Sequence, residues 1–284
     1  MNTTIIDKLI RNALREDAVR SDVTTNTLIP KQQKCQAVIV AKKGGVVCGA
    51  QIAVKVFKAL DPGLHAKVMI KDGRSVKVGD VLVRLAGRTR SILSGERTAL
   101  NFLGYLSGMA TLTQQFVKAV EPYPVKIMDT RKTTPGLRAL ERYAVRCGGG
   151  FNHRFDLKDA VLIKDNHLKA SSPHVGIVEA IRCFRAKNKH PIEIEVDTLD
   201  QFRQALSAGP EIILLDNMTR TQMRRAVEIT RALPGTRRPL LEVSGGVTLK
   251  TVKAIAATGV DRISIGALTH SSGSLDVSLE VNDP

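Results

Sequence analysis

Tryptophan is absent from this 284-residue sequence, and Phe, Tyr and Trp together make up only 4% of it. Proteins that bind single-stranded nucleic acid stack the bases on aromatic side chains set beside basic residues. No basic stretch of this chain carries the interleaved Phe or Tyr that such a platform needs. Nucleic acid is therefore the less favoured partner, although a formal net charge of +16 keeps it as an alternative.

Cysteine is also scarce, and its spacing excludes the common metal-binding patterns. No two of the four cysteines form a CxxC pair or another zinc-ligand spacing, and the N-terminus does not resemble a signal peptide. The four are Cys35, Cys48, Cys147 and Cys183. We expect a reduced, cytoplasmic protein.

One long stretch without charges, TALNFLGYLSGMATLTQQFV (98–117), raises the question of a membrane span. It contains Asn101, Gln114, Gln115 and several Ser, Thr and Gly residues, which are costly to place in lipid. A buried helix or helix pair is the better interpretation, and no membrane partner is expected.

Acidic residues are too few to balance the 43 Lys and Arg, since Asp and Glu total 27. The excess is concentrated in MDTRKTTPGLRALERYAVRCGGGFNHR (128–154), which has six Lys or Arg, two acids and three consecutive glycines. A surface loop that serves only solubility mixes both signs and needs no glycine triplet. This segment predicts a binding site for an anionic molecule.

The N-terminal third combines one helix with short strands. Apolar residues at helical spacing predict an amphipathic helix over 4–16, and Val- and Ile-rich runs in 36–49 and 65–87 predict a small sheet. The DGRSVKVGDVLVRL hairpin (72–85) also resembles half of a biotinyl or lipoyl carrier domain, but no matching second hairpin is present. The structural interpretation is therefore favoured.

From about residue 125, apolar strands alternate with helical patterns, which predicts parallel strands joined by crossover helices. The expected strands are KIMDT (126–130), AVLIKDN (160–166), IEIEVDT (192–198), IILLDNM (212–218), LLEVSGG (240–246) and RISIGAL (262–268). Six such strands without a GxGxxG turn favour a barrel over an open doubly wound sheet. The predicted fold is a TIM-like, incomplete α/β barrel (111–270) after an N-terminal α+β sandwich domain (1–110), on which the tail 271–284 packs.

Each predicted barrel strand ends in a polar or glycine cluster. The clusters are Asp129–Lys132, Lys164–His167, Glu195 with Asp197, Asp216–Asn217, Ser244–Gly246, and Gly266 through His270. The active sites of such barrels lie at the carboxyl ends of the strands, where the loops converge. Six clusters in register favour a functional site over the polarity that any loop needs.

Two of the clusters have the composition of a phosphate site. Backbone N–H groups of Ser244-Gly245-Gly246 and of Gly266-Ala267 precede helices, where an anion is stabilised. One ligand is therefore expected to carry a phosphate.

Two acids lie amid this positive charge and leave two alternatives open. Glu195 and Asp216 either form salt bridges to Lys164 or Arg131, or hold a Mg²⁺ together with substrate phosphates. The cations Arg131, His153, Arg154 and Lys164 remain for a second anion. Guanidinium groups bind carboxylates bidentately, so a carboxylate is the expected ligand.

Long motifs in order along the chain resemble the quinolinate phosphoribosyltransferase family, also called carboxylating nicotinate-nucleotide pyrophosphorylases. They are EDAVRSDVTT, SGERTALNFLGYLSGMAT, DTRKTTPGLR, YAVRCGGGFNHR, LIKDNH, IEIEVDT, IILLDNM, LEVSGGV and SIGALTH. Ser21 stands where the family usually has Gly, and Phe151 lies at a variable position. Neither residue is assigned to chemistry.

The resemblance implies transfer of ribose 5-phosphate from phosphoribosyl pyrophosphate to quinolinate, with loss of CO₂, giving nicotinate mononucleotide for NAD biosynthesis. It implies Lys132, Lys164, Glu195 and Asp216 as catalytic residues, with Mg²⁺ on Glu195 and Asp216. Quinolinate would contact Arg131, His153, Arg154, Lys164 and, from a second subunit of a homodimer or larger oligomer, Arg97. Phosphoribosyl pyrophosphate would contact Lys132, Glu195, Asp216, Ser244, Gly245, Gly246, Gly266 and His270. A paralogous phosphoribosyltransferase remains the alternative, and it would lack the second carboxylate pocket.

Overall fold

The computed structural model describes residues 3–187, 190–234 and 238–282. Its contacts separate two units. The first unit comprises Met1–Gln114, Thr134–Gly149 and Ser271–Pro284, and the second comprises Gln115–Thr133 and Gly150–His270. Within the predicted barrel range 111–270, residues 111–114 and the segment Thr134–Gly149 group by their contacts with the first unit.

Helices and strands are numbered along the chain, and a short 3₁₀ helix at Val19–Ser21 stays outside the numbering. The helices are α1 Thr3–Glu16, α2 Val23–Leu28, α3 Ala50–Leu60, α4 Thr89–Ala119, α5 Arg138–Cys147, α6 Asp165–Ala170, α7 Ile177–Lys187, α8 Leu199–Ala208, α9 Arg220–Arg231, α10 Val252–Ala256 and α11 Ala267–His270. The strands are β1 Lys34–Ala41, β2 Gly45–Val46, β3 His65–Val68, β4 Ser75–Val76, β5 Val81–Arg88, β6 Lys126–Met128, β7 Val161–Ile163, β8 Ile192–Val196, β9 Ile212–Asp216, β10 Leu240–Ser244, β11 Arg262–Ser264 and β12 Val277–Val281.

The first unit is built on a four-stranded antiparallel sheet in the order β12-β1-β5-β3. Alternate residues of β1, among them Ala37 and Ile39, are buried, because successive side chains of a strand point to opposite faces. Helices α1 and α3 pack together, and α3 buries Phe57 completely. The predicted N-terminal helix and small sheet are confirmed.

The uncharged stretch 98–117 lies within α4, so the predicted helix is confirmed as one continuous element. Two of its glycines allow a close approach of the C-terminal segment. A Cβ at Gly108 would lie 1.8 Å from the carbonyl oxygen of Gly273, and Gly104 O accepts a hydrogen bond from Leu275 N. Within the described residues, no helix combines the length and apolarity needed to cross a membrane.

The second unit contains six parallel strands in the order β6-β11-β10-β9-β8-β7. All six predicted strands are confirmed. The first strand, β6, pairs with the last, β11, which is the neighbour relation of a ring and not of an open doubly wound sheet. Between β6 and β7 the described residues form no ladder, and Phe151 bridges to Met128 instead. The fold is an incomplete barrel, as predicted.

Candidate active site

The inner face of the barrel is polar at positions that alternate along the strands. Glu195 is in register with Leu214, so Asp216, two residues further along β9, lies on the same face. Asp216 is in turn in register with Ser244 on β10. One end of three neighbouring strands thus presents two carboxylates and a hydroxyl group on one face.

Deeper on this face, His153 lies between two buried carboxylates. Its Nε2 atom is 3.0 Å from Glu193 Oε2 and 3.3 Å from Glu242 Oε1. Glu193 is 4% exposed and Glu242 is fully buried. Ser264 donates a hydrogen bond to Glu242, and the Arg262 guanidinium lies 3.8 Å from the same carboxylate. Buried acids persist when hydrogen bonds and cations offset their desolvation. Here Ser264 bonds to Oε1 of Glu242, whereas Oε2 has no hydrogen-bond partner among the described residues and faces only the more distant Arg262.

The two carboxylates and burial act in opposite directions on the pKa of His153. Burial lowers the pKa of His153, but the hydrogen bonds to Glu193 and Glu242 outweigh it and raise the pKa. Burial also raises the pKa of Glu193. However, the Arg154 N–H donates to His153 Nδ1 over 2.8 Å, which requires a lone pair on Nδ1. With Nδ1 as acceptor, the ring proton is assigned to Nε2, which faces both carboxylates.

Asp129 fixes the backbone on which His153 is mounted. This carboxylate is fully buried at the end of β6. It accepts hydrogen bonds from Asn152 Nδ2 and from the His153 N–H, each at 2.6 Å. Because a buried carboxylate holds both donors, the 152–154 segment has one orientation at the barrel end.

Arg131 and Arg154 form a crowded pair of cations. Burial and then the charge of Arg131 lower the pKa of Arg154. The Arg154 guanidinium also donates to the Ala160 carbonyl over 3.1 Å. Arg131 Nε is buried and, among the described residues, has no hydrogen-bond partner. Two like charges with an unused buried donor form a site that an anion would stabilise.

Lys164 and Glu195 form a direct ion pair. Lys164 follows β7, and its side chain is 44% exposed, whereas the Glu195 side chain is 13% exposed. The backbone N–H of Lys164 donates to His167 Nδ1 at the start of α6. The structure contains the salt bridge of Glu195 to Lys164, and the Mg²⁺ alternative for Glu195 stays a prediction.

The loop after β10 has backbone angles that favour glycine. Gly245 has φ +99°, and a Cβ there would lie 2.0 Å from Asn217 Oδ1. Asn217 has φ +51°, donates its backbone N–H to Ser244 O, and donates its side-chain amide to Asp216. Gly246 has φ +58° and open space around it. The backbone is therefore bare beside the Asp216 carboxylate.

This difference between adjacent glycines predicts a difference in stability. Gly246→Ala is expected to lower the free energy of unfolding by about 1–2 kcal/mol, the cost of a left-handed residue. Gly245→Ala is expected to lower it by roughly a further 1–3 kcal/mol, because the new methyl group collides with Asn217. Urea denaturation followed by circular dichroism measures both values. Equal losses in the two variants would show that the Asn217 contact does not restrict this loop.

Lys132, Gly266 and His270 converge beyond the carboxyl end of β11, the strand next to β10. Gly245, Gly246 and Gly266 are together called the glycine-lined edge. A Cβ at Gly266 would lie 3.0 Å from His270 Nε2 and 3.1 Å from Lys132 Cδ. Thr269 donates its hydroxyl to the Lys132 carbonyl over 2.7 Å, which holds the strand end against α11. Because Gly266 has no side chain, a lysine and a histidine lie directly against its partly exposed backbone.

Comparison with known proteins decides the family. Family models for the N-terminal and C-terminal domains of quinolinate phosphoribosyl transferase match residues 22–107 and 109–280. The chain belongs to the quinolinate phosphoribosyltransferase family. It is 42% identical to the probable carboxylating nicotinate-nucleotide pyrophosphorylase of Bacillus subtilis over 283 residues, which cover 99% of this chain and 95% of that protein.

Other members of the quinolinate phosphoribosyltransferase family agree over the full length. The probable carboxylating nicotinate-nucleotide pyrophosphorylase of Synechocystis is 43% identical, covering 98% of this chain and 92% of that protein. The solved nicotinate-nucleotide pyrophosphorylase from Francisella tularensis is 38% identical and superimposes with a TM-score of 0.92, covering 99% of this chain and 98% of that one. The resemblance expected from the motifs is confirmed.

Most residues that the family resemblance selects come together in the second unit, whereas Arg97 does not belong to that unit. Arg97 lies on α4 at a cavity of about 860 Å³ in the first unit, whose lining includes Asn101, Tyr105 and Thr134. Tyr105 donates to the buried Glu141 carboxylate there. The assignment of Arg97 to a partner's site stays a prediction.

Three structurally prominent acids were not among the predicted site residues. Glu193 and Glu242 hold His153, and Asp129, recognised only as part of a polar cluster, holds its backbone. The sequence contains a pattern that points to these acids. Glu193 and Glu195 alternate in IEIEV with apolar residues, so both acids lie on the face opposite to the apolar side chains. Acids at every second position of a buried strand indicate a polar barrel interior.

Proposed function

We propose that this quinolinate phosphoribosyltransferase joins the ring nitrogen of quinolinate to the ribose of phosphoribosyl pyrophosphate. Pyrophosphate is released, the carboxylate next to the nitrogen leaves as CO₂, and the product is nicotinate mononucleotide, a precursor of NAD. The crowded Arg131–Arg154 pair carries this proposal, because two partly buried guanidiniums close to each other suit a dicarboxylate. Membership of the family supports the same reaction.

Quinolinate would bind at the cationic side of the barrel end. Arg131 offers its unused buried Nε donor, and Arg154 is oriented by its bond to Ala160. His153, held by Glu193 and Glu242, keeps the adjoining backbone in place and is the proposed neighbour of a carboxylate. Lys164 faces Glu195 in this structure and would exchange that partner for the departing carboxylate.

Phosphoribosyl pyrophosphate would bind along the glycine-lined edge. Bare backbone at Gly245, Gly246 and Gly266 can approach phosphate oxygens closely, and Lys132 with His270 supplies positive charge beside Gly266. As the ribose–diphosphate bond breaks, negative charge builds on the leaving group. Lys132 would stabilise that charge, so the protein acts through positioning and electrostatics.

A Mg²⁺ ion fits the residues proposed for it. Glu195 and Asp216 lie on one face of neighbouring strands, next to the glycine loop, and Mg²⁺ is commonly held by one or two carboxylates together with substrate phosphates. The ion, when bound, would neutralise charge on the diphosphate. Glu195 would have to release Lys164, which links metal binding to a free lysine at the quinolinate side.

The overall reaction is tested by incubating the purified protein with quinolinate, phosphoribosyl pyrophosphate and Mg²⁺. We expect nicotinate mononucleotide and one CO₂ for each quinolinate consumed, measured by chromatography and by release of label from the 2-carboxylate. Nicotinate offered in place of quinolinate is the control, because it has no carboxylate at that position. Product from nicotinate at an equal or higher rate would contradict the proposed substrate.

We also propose a homodimer, or a larger oligomer, in which Arg97 completes the partner's quinolinate site. A cytoplasmic location is part of the same proposal, supported by four cysteines that are all free thiols. Arg97 lies outside the unit that holds the other proposed quinolinate residues, and the family resemblance supports a contribution across the subunit interface.

Subunit mixing tests this shared site. Arg97→Ala and Lys164→Ala chains are each expected to be nearly inactive, whereas their mixture should recover activity, since a heterodimer contains one site without either substitution. With random exchange of equal amounts of the two chains, the recovered activity can reach about a quarter of the wild-type rate. Half of the dimers are then heterodimers, and each heterodimer has one intact site of two. Subunit exchange is verified by mass spectrometry of differently tagged chains. Exchange without recovery would contradict the shared site.

A further inference from the structure

Two cysteines that are far apart in the sequence meet an aspartate in the first unit. One ligand atom each of Cys48, Asp72 and Cys147 lies within 4.8 Å of the other two. Cys48 is buried, while Asp72 and Cys147 are partly exposed, so the cluster is open on one side. None of these residues belongs to the proposed reaction.

The backbone at Cys48 is anchored to the long helix α4. Its N–H donates to Ser107 Oγ over 2.9 Å, and its carbonyl accepts from the same hydroxyl over 3.1 Å. One buried serine thus fixes both peptide groups of this cysteine. The thiol is consequently presented to its neighbours from a rigid support.

Asp72 is oriented by one hydrogen bond to each carboxylate oxygen. Oδ1 accepts from the Ala50 N–H at the start of α3, and Oδ2 accepts from the Tyr143 hydroxyl over 2.9 Å. Ligating carboxylates in metal sites are commonly oriented by outer donors in this manner. Each oxygen keeps a further lone pair for a cation.

Cys147 ends α5 at a point where the backbone approaches other segments closely. A Cβ at the following residue, Gly148, would lie 2.3 Å from Ala110 O. Gly73, next to Asp72, has φ +85° and donates its N–H to Val47 O, beside Cys48. Three separate segments are therefore held together around the two sulfur atoms.

We propose that Cys48, Asp72 and Cys147 bind a thiophilic divalent cation such as Zn²⁺. Zinc takes thiolate, imidazole and carboxylate ligands, and ligand atoms around a tetrahedral ion lie about 3.5 Å apart. The three ligand atoms of this cluster, all within 4.8 Å of one another, would move slightly closer on binding. Both thiols release their protons to solvent on binding, with no change in oxidation state. A solvent molecule on the open side completes the four ligands.

The carboxylate favours a cation over a disulfide at this place. A divalent cation is attracted to the same three groups that repel one another as anions. The ion would tie the segment Thr134–Gly149 to the loop after β2 and to the turn before β4, and thus stabilise the first unit.

Metal binding to the full chain tests the proposal. Protein stripped with a chelator is titrated with Zn²⁺, and we expect one ion per chain by mass spectrometry and a higher Tm in its presence. Substitution by Co²⁺ should give the thiolate-to-metal charge-transfer absorption of sulfur ligation. Alkylation of Cys147 should be slowed by Zn²⁺ in the unaltered protein, a readout that needs no variant.

The Zn²⁺ affinities of single variants show whether the metal binds at this cluster or at the other cysteines. Cys48→Ser, Cys147→Ser and Asp72→Asn should each weaken Zn²⁺ binding more than Tyr143→Phe, which removes only an outer donor and should cost about 10- to 100-fold. Cys183→Ser and Cys35→Ser should leave binding unchanged. Should Cys48→Ser fail to fold, the partly exposed Cys147 and Asp72 carry the test. Retained binding in those variants, or a Cys48–Cys147 disulfide without zinc affinity after reduction, overturns the proposal.

Discussion

Glu195→Gln is expected to lower kcat roughly 100- to 1,000-fold, the range seen when one preorganised electrostatic group is removed from an active site. The amide keeps the shape of the side chain but removes the negative charge that would hold the metal. Glu195 could then no longer exchange its ion pair with Lys164 for the metal. Steady-state kinetics with saturating quinolinate and phosphoribosyl pyrophosphate measure the loss. In the unaltered protein, a chelator should abolish turnover and added Mg²⁺ should restore it.

Asp197→Asn is the matched control for this prediction. Asp197 is also an acid and lies just beyond the end of the same strand, but it is exposed and is not among the proposed metal ligands, so the kcat of Asp197→Asn should stay near that of the wild type. Folding of Glu195→Gln should be preserved, because its ion pair involves a half-exposed lysine and such pairs contribute little to stability. Full activity in excess chelator, or equal losses in the two variants, would refute the metal assignment.

Arg154→Ala and Lys132→Ala are expected to affect different substrates. Removing one partner of a desolvated charge pair costs about 2–5 kcal/mol, or very roughly 30- to several-thousand-fold in affinity. Arg154→Ala should weaken quinolinate by that order and leave phosphoribosyl pyrophosphate nearly unchanged, whereas Lys132→Ala should do the reverse. The reason is position, since Arg154 lies beside Arg131 and Lys132 lies beside Gly266. Calorimetry with each ligand alone gives the four affinities.

A third variant controls for the general positive field. Arg203→Ala removes one charge from an exposed pair with Asp200 on α8, and both affinities should then change by less than about twofold at physiological salt. Equal losses for both ligands in Arg154→Ala and Lys132→Ala would mean that the cluster acts as one diffuse positive field. The separate roles of the two residues would then be withdrawn.

Periodicity in the sequence was sufficient for the strands and helices of the barrel. IILLD and LLEVS are short apolar runs between amphipathic helices. Each element can be predicted from its own residues, because the positions of its apolar side chains determine which face it buries. The location of the polar clusters followed from the same logic, since parallel strands bring their carboxyl ends to one edge.

Contacts between distant segments could not be read from those patterns. Nothing in the local sequence of Arg138–Cys147 shows that its helix packs in the first unit, because its partners, such as Asp72 and Tyr105, lie far away along the chain. The pairing of Cys48 with Cys147 was missed for the same reason, since spacing rules detect only ligands that are close in sequence. Glu193 was overlooked because an acid within a strand contradicts the apolar pattern that identified the strand.

The ladder between β1 and β12 also has a consequence for biosynthesis. Ala37 pairs with Val281, so the edge of the first sheet needs a strand that is translated after every element of the second unit. During synthesis the barrel strands can associate as soon as residue 270 has left the ribosome, while β1 still exposes an unpaired edge. Such an edge is open to pairing with other chains, and the long interval adds a loop-closure cost to folding. The first part of this chain to emerge is thus among the last to be completed.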